Sequence, residues 1–157
     1  MDKVPMTKRG YGLLQEEMKH LKSVERPAVI NALEEARTHG DLAENAEYHA
    51  AKERQAFIEG RLMELEDKIS RAQVIDPTTM KGNIVRFGAT VTLADEDTDK
   101  ESTYQIVGED EGDIQNGLLS LTAPLARAMI GKETGDSIEV TAPGGSKAYE
   151  IMKVKYK

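Results

Sequence analysis

The sequence predicts an α+β protein, with an N-terminal antiparallel α-helical coiled-coil hairpin over residues 1–76 and a C-terminal antiparallel β-rich domain over residues 77–157. Three observations lead there. Composition changes at Asp76-Pro77: Leu, Glu, Ala, Lys and Arg dominate before it, and Gly, Asp, Pro and β-branched residues after it. Before this point, apolar residues recur at steps of three and four, the period of one helix face. After it, short Val/Ile/Thr runs are separated by turn residues, the pattern of strands.

Each element has a local reason. Thr7 is a suitable N-cap for a helix starting at Lys8. Leu14, Met18, Leu21, Val24, Ala28, Val29, Leu33 and Ala36 then form the first apolar face. Ala51, Ile58, Leu62, Leu65, Ile69 and Ala72 keep a seven-residue rhythm on the second arm. Gly40 stands between the arms, where a helix-ending glycine is expected. Pro27 should kink or briefly break the first arm, because it lacks a backbone N–H. Gly60 costs the second arm roughly 1 kcal/mol against Ala, and the seam continues past it. Small residues gather near the turn, so the hairpin should be slim there.

In the second half, strands are expected at 83–87, 89–94, 102–107, 118–121, 137–140 and 149–154. Pro143-Gly144-Gly145 marks a hairpin turn between the last two. The run DEDTDKE at 95–101 reads as a solvated acidic turn. A short helix fits 124–130, with Pro124 at its first position and Gly131 at its end.

The totals exclude several functions. Net charge is −7, and no Lys/Arg cluster in the sequence is dense enough to hold nucleic acid alone. Cysteine is absent, which rules out disulfides and thiolate metal sites. No run approaches the ~20 apolar residues of a membrane span, and MDKVPMTKRG has no apolar signal core. The expectation is a cytoplasmic protein that makes no membrane contact.

The most informative stretch is the inter-helix segment HGDLAENAEYH, with Asp41, Glu44 and Glu47. Asp41 as N-cap with Glu44 three residues on is a capping-box arrangement, which accounts for two acids without any function. The alternative is half of a divalent-cation site. Mg²⁺ takes oxygen ligands, keeps several waters and uses only one or two carboxylates, so another body would have to complete the shell. A zinc site with His39 or His49 is disfavoured, because His49 would lie about 140° around the helix from Glu44. A standalone nuclease or phosphatase is disfavoured too, since there is no Gly-rich phosphate loop and no second acidic cluster in a plausible pocket.

The stretch EARTHGDLAENAEYHAAKE resembles the hallmark of the bacterial Gre transcript-cleavage factors. PMTKRGYGLLQEE, RAQVID, FGATVTL, YQIVGEDE, APLARAMIGKETGD and TAPGG extend the resemblance over essentially the whole chain. It lies closer to the GreA branch than to the GreB branch, whose coiled coil carries a larger basic patch.

The resemblance implies a factor that enters the secondary channel of bacterial RNA polymerase and docks on its rim. There it would stimulate the polymerase's own Mg²⁺-dependent cleavage of the nascent RNA 3′ end in backtracked complexes. It would be an accessory factor rather than an enzyme, and a monomer when free. The matching catalytic and metal positions are Asp41 and Glu44, sharing Mg²⁺ with the polymerase. Asn45, Glu47 and Tyr48 would support the tip, and Arg37 and Lys52 would contact the RNA. Ala123, Pro124 and Ala126 would belong to the docking surface, on a domain similar to FK506-binding proteins. Two rivals remain: a channel-plugging polymerase inhibitor with the same architecture, against which the intact acid pair argues, and a prolyl isomerase, disfavoured by an aromatic content of 4%.

Overall fold

A cap begins the first helix, as its sequence requires. In the computed structural model, which describes residues 2–40 and 44–157, Thr7 Oγ1 accepts a hydrogen bond from the Gly10 backbone N–H at 3.0 Å. That bond satisfies one of the free N–H groups of the first turn. Before it lies strand β1 (Val4–Thr7), and after it helix α1 (Lys8–His20).

Pro27 is absorbed rather than left as a break. A π turn spans Leu21–Glu25, with Arg26 N–H donating to Leu21 C=O, five residues back. Helix α2 (Arg26–Arg37) continues from the π turn without a break, since Glu25 and Arg26 keep helical angles, and Pro27 follows directly on that wider turn. The extra residue of the π turn rotates the apolar face. Leu21, Val29, Leu33 and Ala36 are buried, whereas Val24 is 52% exposed and Ala28 faces solvent. The regular spacing that placed Val24 and Ala28 in the seam is thus corrected by the residue that interrupts it.

Helix α3 (Ala46–Ser70) runs straight through Gly60 and buries Ala51, Ile58, Leu62 and Leu65. These pack with Leu21, Val29 and Leu33 in one apolar cluster, flanked by Leu14, Met18 and Tyr48. Truncating such a Leu or Ile to Ala costs roughly 2–5 kcal/mol, so this cluster is the main stabiliser of the arms. Arginines on α3 clasp the first arm from outside: Arg61 donates twice to Glu17, at 2.7 and 2.8 Å, and Arg54 lies 3.3 Å from Glu25. In the opposite sense, Arg26 donates to Glu59 at 2.9 and 2.7 Å. Such exposed pairs each contribute at most about 1 kcal/mol.

The chain divides into two compact units, Tyr11–Ala72 and Asp2–Gly10 with Gln73–Lys157. In the second unit, Asp2–Gly10 is fastened by Glu111. Its carboxylate accepts from Thr7 N–H at 3.0 Å, from the Thr7 hydroxyl and from Gly108 N–H at 2.8 Å. A Cβ at Gly10 would overlap that carboxylate, so the close approach requires glycine there. Strand β1 pairs with β2 (Ala72–Ile75) in a two-stranded sheet.

The main sheet has five strands: β3 (Thr90–Asp95), β4 (Glu101–Val107), β5 (Leu118–Ser120), β6 (Ser137–Ala142) and β7 (Gly145–Lys155). Their order is β5-β4-β3-β7-β6. Three of the four pairings are antiparallel, and β4 with β5 is parallel, Ile106 opposite Leu119. The expectation of an antiparallel domain is corrected for that pair: residues 108–117 cross over through two short 3-10 turns instead of a hairpin.

The expected strand at 83–87 is also absent. Val85 is fully buried and bonds to the loop at Gly131 and Lys132, but only Ile84 and Glu133 form a bridge. Gly82 and Gly88, both at positive φ, turn the chain on either side and leave too short an extended run. The hairpin of β6 and β7 closes with Ala142 opposite Gly145, as PGG predicts. The turn at 95–101 is pinned by Asp95 Oδ1, which accepts from Asp97 and Thr98 N–H. Val91, Leu93, Ile106 and Ile151 line the core face, which α4 (Pro124–Met129) covers with Ala126 and Met129. Among the described residues no helix is long and apolar enough to cross a membrane.

Candidate functional site

The site is built from the ends of α2 and α3. Helix α2 finishes at Arg37, and Thr38 N–H and His39 N–H bond back to Glu35 and Ala36 C=O at 3.1 Å each. Gly40, at φ +103°, turns the chain away. Asp41, the first of the predicted acids, lies outside the described residues. Glu44 is exposed and stands immediately before the cap of α3.

That cap is Asn45. Its Oδ1 accepts from Tyr48 N–H at 3.1 Å, and its Nδ2 donates to Ala36 C=O at 2.7 Å. The expectation that Asp41 caps the second helix, with Glu44 completing a capping box, is overturned here. Asn and Asp are equally good N-caps, but only an amide can accept from its own helix and donate to the neighbouring arm at once. Because α3 begins at Ala46, Glu44 lies before the helix and Glu47 within it, so these two acids do not rise on one helix face. The angle assigned between Glu44 and His49 lapses for the same reason.

Glu47 occupies the first turn of α3, where a negative charge is favoured by the helix dipole. His39, Glu44, Asn45, Ala46 and Glu47 line one shallow, open concavity. Tyr48 is half-buried against the apolar cluster and meets His49 edge-on, with ring centroids 5.7 Å apart. Lys52 Nζ sits 5.9 Å from the Tyr48 ring centroid, within cation–π range. Arg37 is exposed at the end of α2.

Further along the arms, the Arg54 guanidinium, helped by His20, holds the Glu25 carboxyl below the usual glutamate range. His39, which the sequence offers only as a disfavoured zinc ligand beside the acids, lines this concavity. Its place three residues after Ala36, the acceptor of the Asn45 clamp, becomes meaningful only once the clamp is seen.

Among the described residues, no group of three or more His, Asp or Glu could hold a metal. Glu44 and Glu47 nevertheless offer exposed carboxylate oxygens on one concavity. That donor set fits a hard cation whose remaining ligands are water and another body's oxygens. It does not fit zinc, whose closed sites need four protein ligands.

In the second unit, Ala123 is the N-cap of α4 and Pro124 its exposed first residue. Ala126 is fully buried in the sheet core, so its methyl group holds α4 in place and is not presented to a partner.

Residues 4–74 match the family described as "Transcription elongation factor, N-terminal", and residues 80–156 match "Transcription elongation factor, GreA/GreB, C-term". The chain is 65% identical over 156 residues to "Transcription elongation factor GreA" of Maricaulis maris, covering 99% of each chain. It is 62% identical over 157 residues to the protein of that name from Hyphomonas neptunium, covering all of both. Among solved structures, the GreA factor homolog 1 protein of Thermus thermophilus is 25% identical, with 97% of this chain and 98% of that chain covered and a TM-score of 0.44. The chain belongs to the GreA/GreB family of transcription elongation factors.

Proposed function

We propose that this protein is an accessory transcription elongation factor of cytoplasmic RNA polymerase that works through the acidic end of its helical arms. In this reading the arms form a slim coiled-coil hairpin that enters the polymerase's secondary channel, and the protein acts as a monomer. Asp41 and Glu44 bring carboxylates to a Mg²⁺ ion shared with the polymerase. That ion would supply charge stabilisation and a bound water for hydrolysis of the backtracked RNA 3′ end. Neither carboxylate is sufficient alone, because Mg²⁺ needs near-octahedral oxygen coordination.

The observation that carries the reading is the double hydrogen bond of Asn45. It ties the residue next to Glu44 to both arms, so the carboxylate is presented from a fixed point. Glu47 adds negative charge beside it. Tyr48 packs the base of the segment, and Lys52 and Arg37 offer cations to the RNA phosphates. Pro124 and Ala123 face the polymerase rim, with Ala126 supporting them from the core. Identity of 62% to 65% over nearly the full length with relatives named transcription elongation factor GreA favours the activating role over that of a channel-plugging inhibitor.

The test is to incubate the protein with a backtracked elongation complex and Mg²⁺ and to size the released RNA. Short 3′ fragments and resumed elongation support the reading; a block of elongation without cleavage refutes it.

A further inference from the structure

The two edges of the five-stranded sheet are finished differently. At the β5 edge, Leu118 N–H donates to Asp113 C=O at 3.0 Å and Asp113 N–H donates to Leu118 C=O at 2.8 Å, so both backbone groups of Leu118 are taken. Strand β5 is also only three residues long. Short length and a covering segment are common ways to blunt an edge. The β6 edge has neither. Strand β6 runs six residues and pairs with β7 at every one of them without a bulge. It contains no Pro and no Lys, the residues that most often guard edges. Strand β7 occupies one side of it only. Among the described residues, no other backbone group bonds to 137–142. Alternate N–H and C=O groups along β6 therefore point away from the sheet.

The two faces beside this edge differ in chemistry. Ile138 is buried in the core, and Val140 packs against that core from the same face. Ser137, Glu139 and Thr141 lie on the opposite face and are exposed. On the neighbouring strand, Glu150 stands opposite Ser137, Ala148 opposite Glu139 and Ser146 opposite Thr141. Glu96 accepts a hydrogen bond from the Ser137 hydroxyl. This face thus holds Glu96, Glu139 and Glu150, with no cation on β6 or on the stretch of β7 beside it. Lys147, opposite Val140, belongs to the other face. From 133 to 142 the chain carries Glu133, Asp136 and Glu139 and no Lys or Arg.

We propose that the β6 edge accepts an extended basic segment of a partner protein as a further strand. Strand addition draws affinity from main-chain hydrogen bonds and specificity from alternate side chains. The added strand alternates as β6 does. Its cations lie on the face of Glu139 and Glu150, and its β-branched apolar residues on the face of Ile138 and Val140. The partner chemistry is therefore an extended run such as Lys-Val-Lys-Val. A second copy of this chain is the poorer occupant, because pairing β6 with β6 sets Glu133, Asp136 and Glu139 against the same acids with no cation between them. The edge lies in the second unit and uses none of the tip residues, so its failure would leave the proposed cleavage role untouched.

The experiment is an NMR titration of the isotope-labelled full-length protein, at low ionic strength, with a short blocked peptide of alternating Lys and Val. The amides of 137–142 should shift, and those pointing away from β7 should become protected from hydrogen exchange. Glu139→Lys should weaken binding about threefold to tenfold, the effect of turning an opposite-charge cross-strand pair into a like-charge one. Glu109→Lys makes the same change of charge on the crossover to β5, at the other edge of the sheet, and should bind like the parent. A peptide with Pro in place of its central Val keeps the charge but cannot pair along the strand, and should protect no amide. Circular dichroism melts verify that both variants fold. Equal losses in the two variants, or equal binding of the Pro peptide, would reduce the effect to charge attraction and overturn the proposal. So would an absence of any response at 137–142, or protection there that grows with the concentration of the protein alone, which would give the edge to a second copy.

Discussion

Asn45 and Ala36 join the two helical arms at their shared end: the Asn45 amide donates to the Ala36 carbonyl at 2.7 Å while its own oxygen caps α3 at Tyr48 N–H. The first prediction separates these roles. Asn45→Ala should lower stability by about 1–2 kcal/mol, the range for a lost N-cap and an orphaned acceptor. Asn45→Asp keeps the cap but loses the donor to Ala36, so it should recover only part of the loss. Urea unfolding midpoints measure both. Full recovery with Asp would mean that the bond to Ala36 contributes nothing.

The second prediction concerns the carboxylates. Asp41→Asn and Glu44→Gln keep size and polarity and remove charge. Each should lower RNA cleavage in backtracked complexes by at least about tenfold, a loss of roughly 1.4 kcal/mol of transition-state stabilisation. Affinity for polymerase should stay nearly unchanged, because Glu44 is neither the cap nor part of the apolar cluster. Cleavage at the parental rate in both variants would remove the tip acids from the mechanism.

Arg37 and Lys52 support a third prediction. They sit at the end of α2 and early in α3, both exposed, and the paired change Arg37→Ala with Lys52→Ala should reduce crosslinking to the RNA 3′ segment severalfold. Stability should change by no more than about 1 kcal/mol, the scale of an exposed cation–π contact such as that of Lys52 with Tyr48. An unchanged crosslink yield would leave these cations as ordinary solvated helix charges.

Local signals in the sequence were sufficient where they acted alone. Thr7 caps α1, Pro124 opens α4, and Pro143-Gly144 turns the last hairpin, each by backbone preferences that need no distant partner. They failed where two preferences competed. Asp41 and Asn45 are both good N-caps, and the sequence cannot say which wins, because the deciding bond reaches back to Ala36. The period of the first arm was read without the π turn that Pro27 brings, so Val24 and Ala28 were placed in the seam. Long-range pairing was least legible. Strands β1 and β2 have four residues each, too few to show a period, and nothing near Leu118 announces a parallel partner in β4.

A fourth prediction follows from the bidentate pair of Arg61 and Glu17. The hydrogen-bonded guanidinium holds the Glu17 carboxyl below its usual range, against a smaller opposing effect of burial. A depressed carboxylate stabilises the fold above its unfolded pKa of about 4.3, and the contribution fades as pH falls through the folded value. Glu17→Gln should therefore cost under about 1 kcal/mol at neutral pH, since the pair is partly solvated. The cost should shrink once the solution is acidified below the ordinary glutamate range. Urea midpoints at the two pH values decide it: an equal cost at both would mean that Glu17 acts through packing rather than charge.

The last prediction tests how the segment Asp2–Gly10 is fastened in the second unit. Three donors converge on Glu111, two from Thr7 and one from Gly108, and the carboxylate fills the space where a Cβ at Gly10 would stand. Gly10→Ala must push the carboxylate off its donors, so it should cost about 1–3 kcal/mol, the usual scale of overpacking, although alanine is the better helix former. Glu111→Ala should cost about as much, by orphaning the Thr7 and Gly108 amides. Because both changes destroy the same contact, the double variant should be much less unstable than the two losses added together, with a coupling of about 1 kcal/mol or more. Thermal melts of the four proteins give the cycle. Additive losses would show that Gly10 and Glu111 act separately, and that glycine at this position serves some need other than room for the carboxylate.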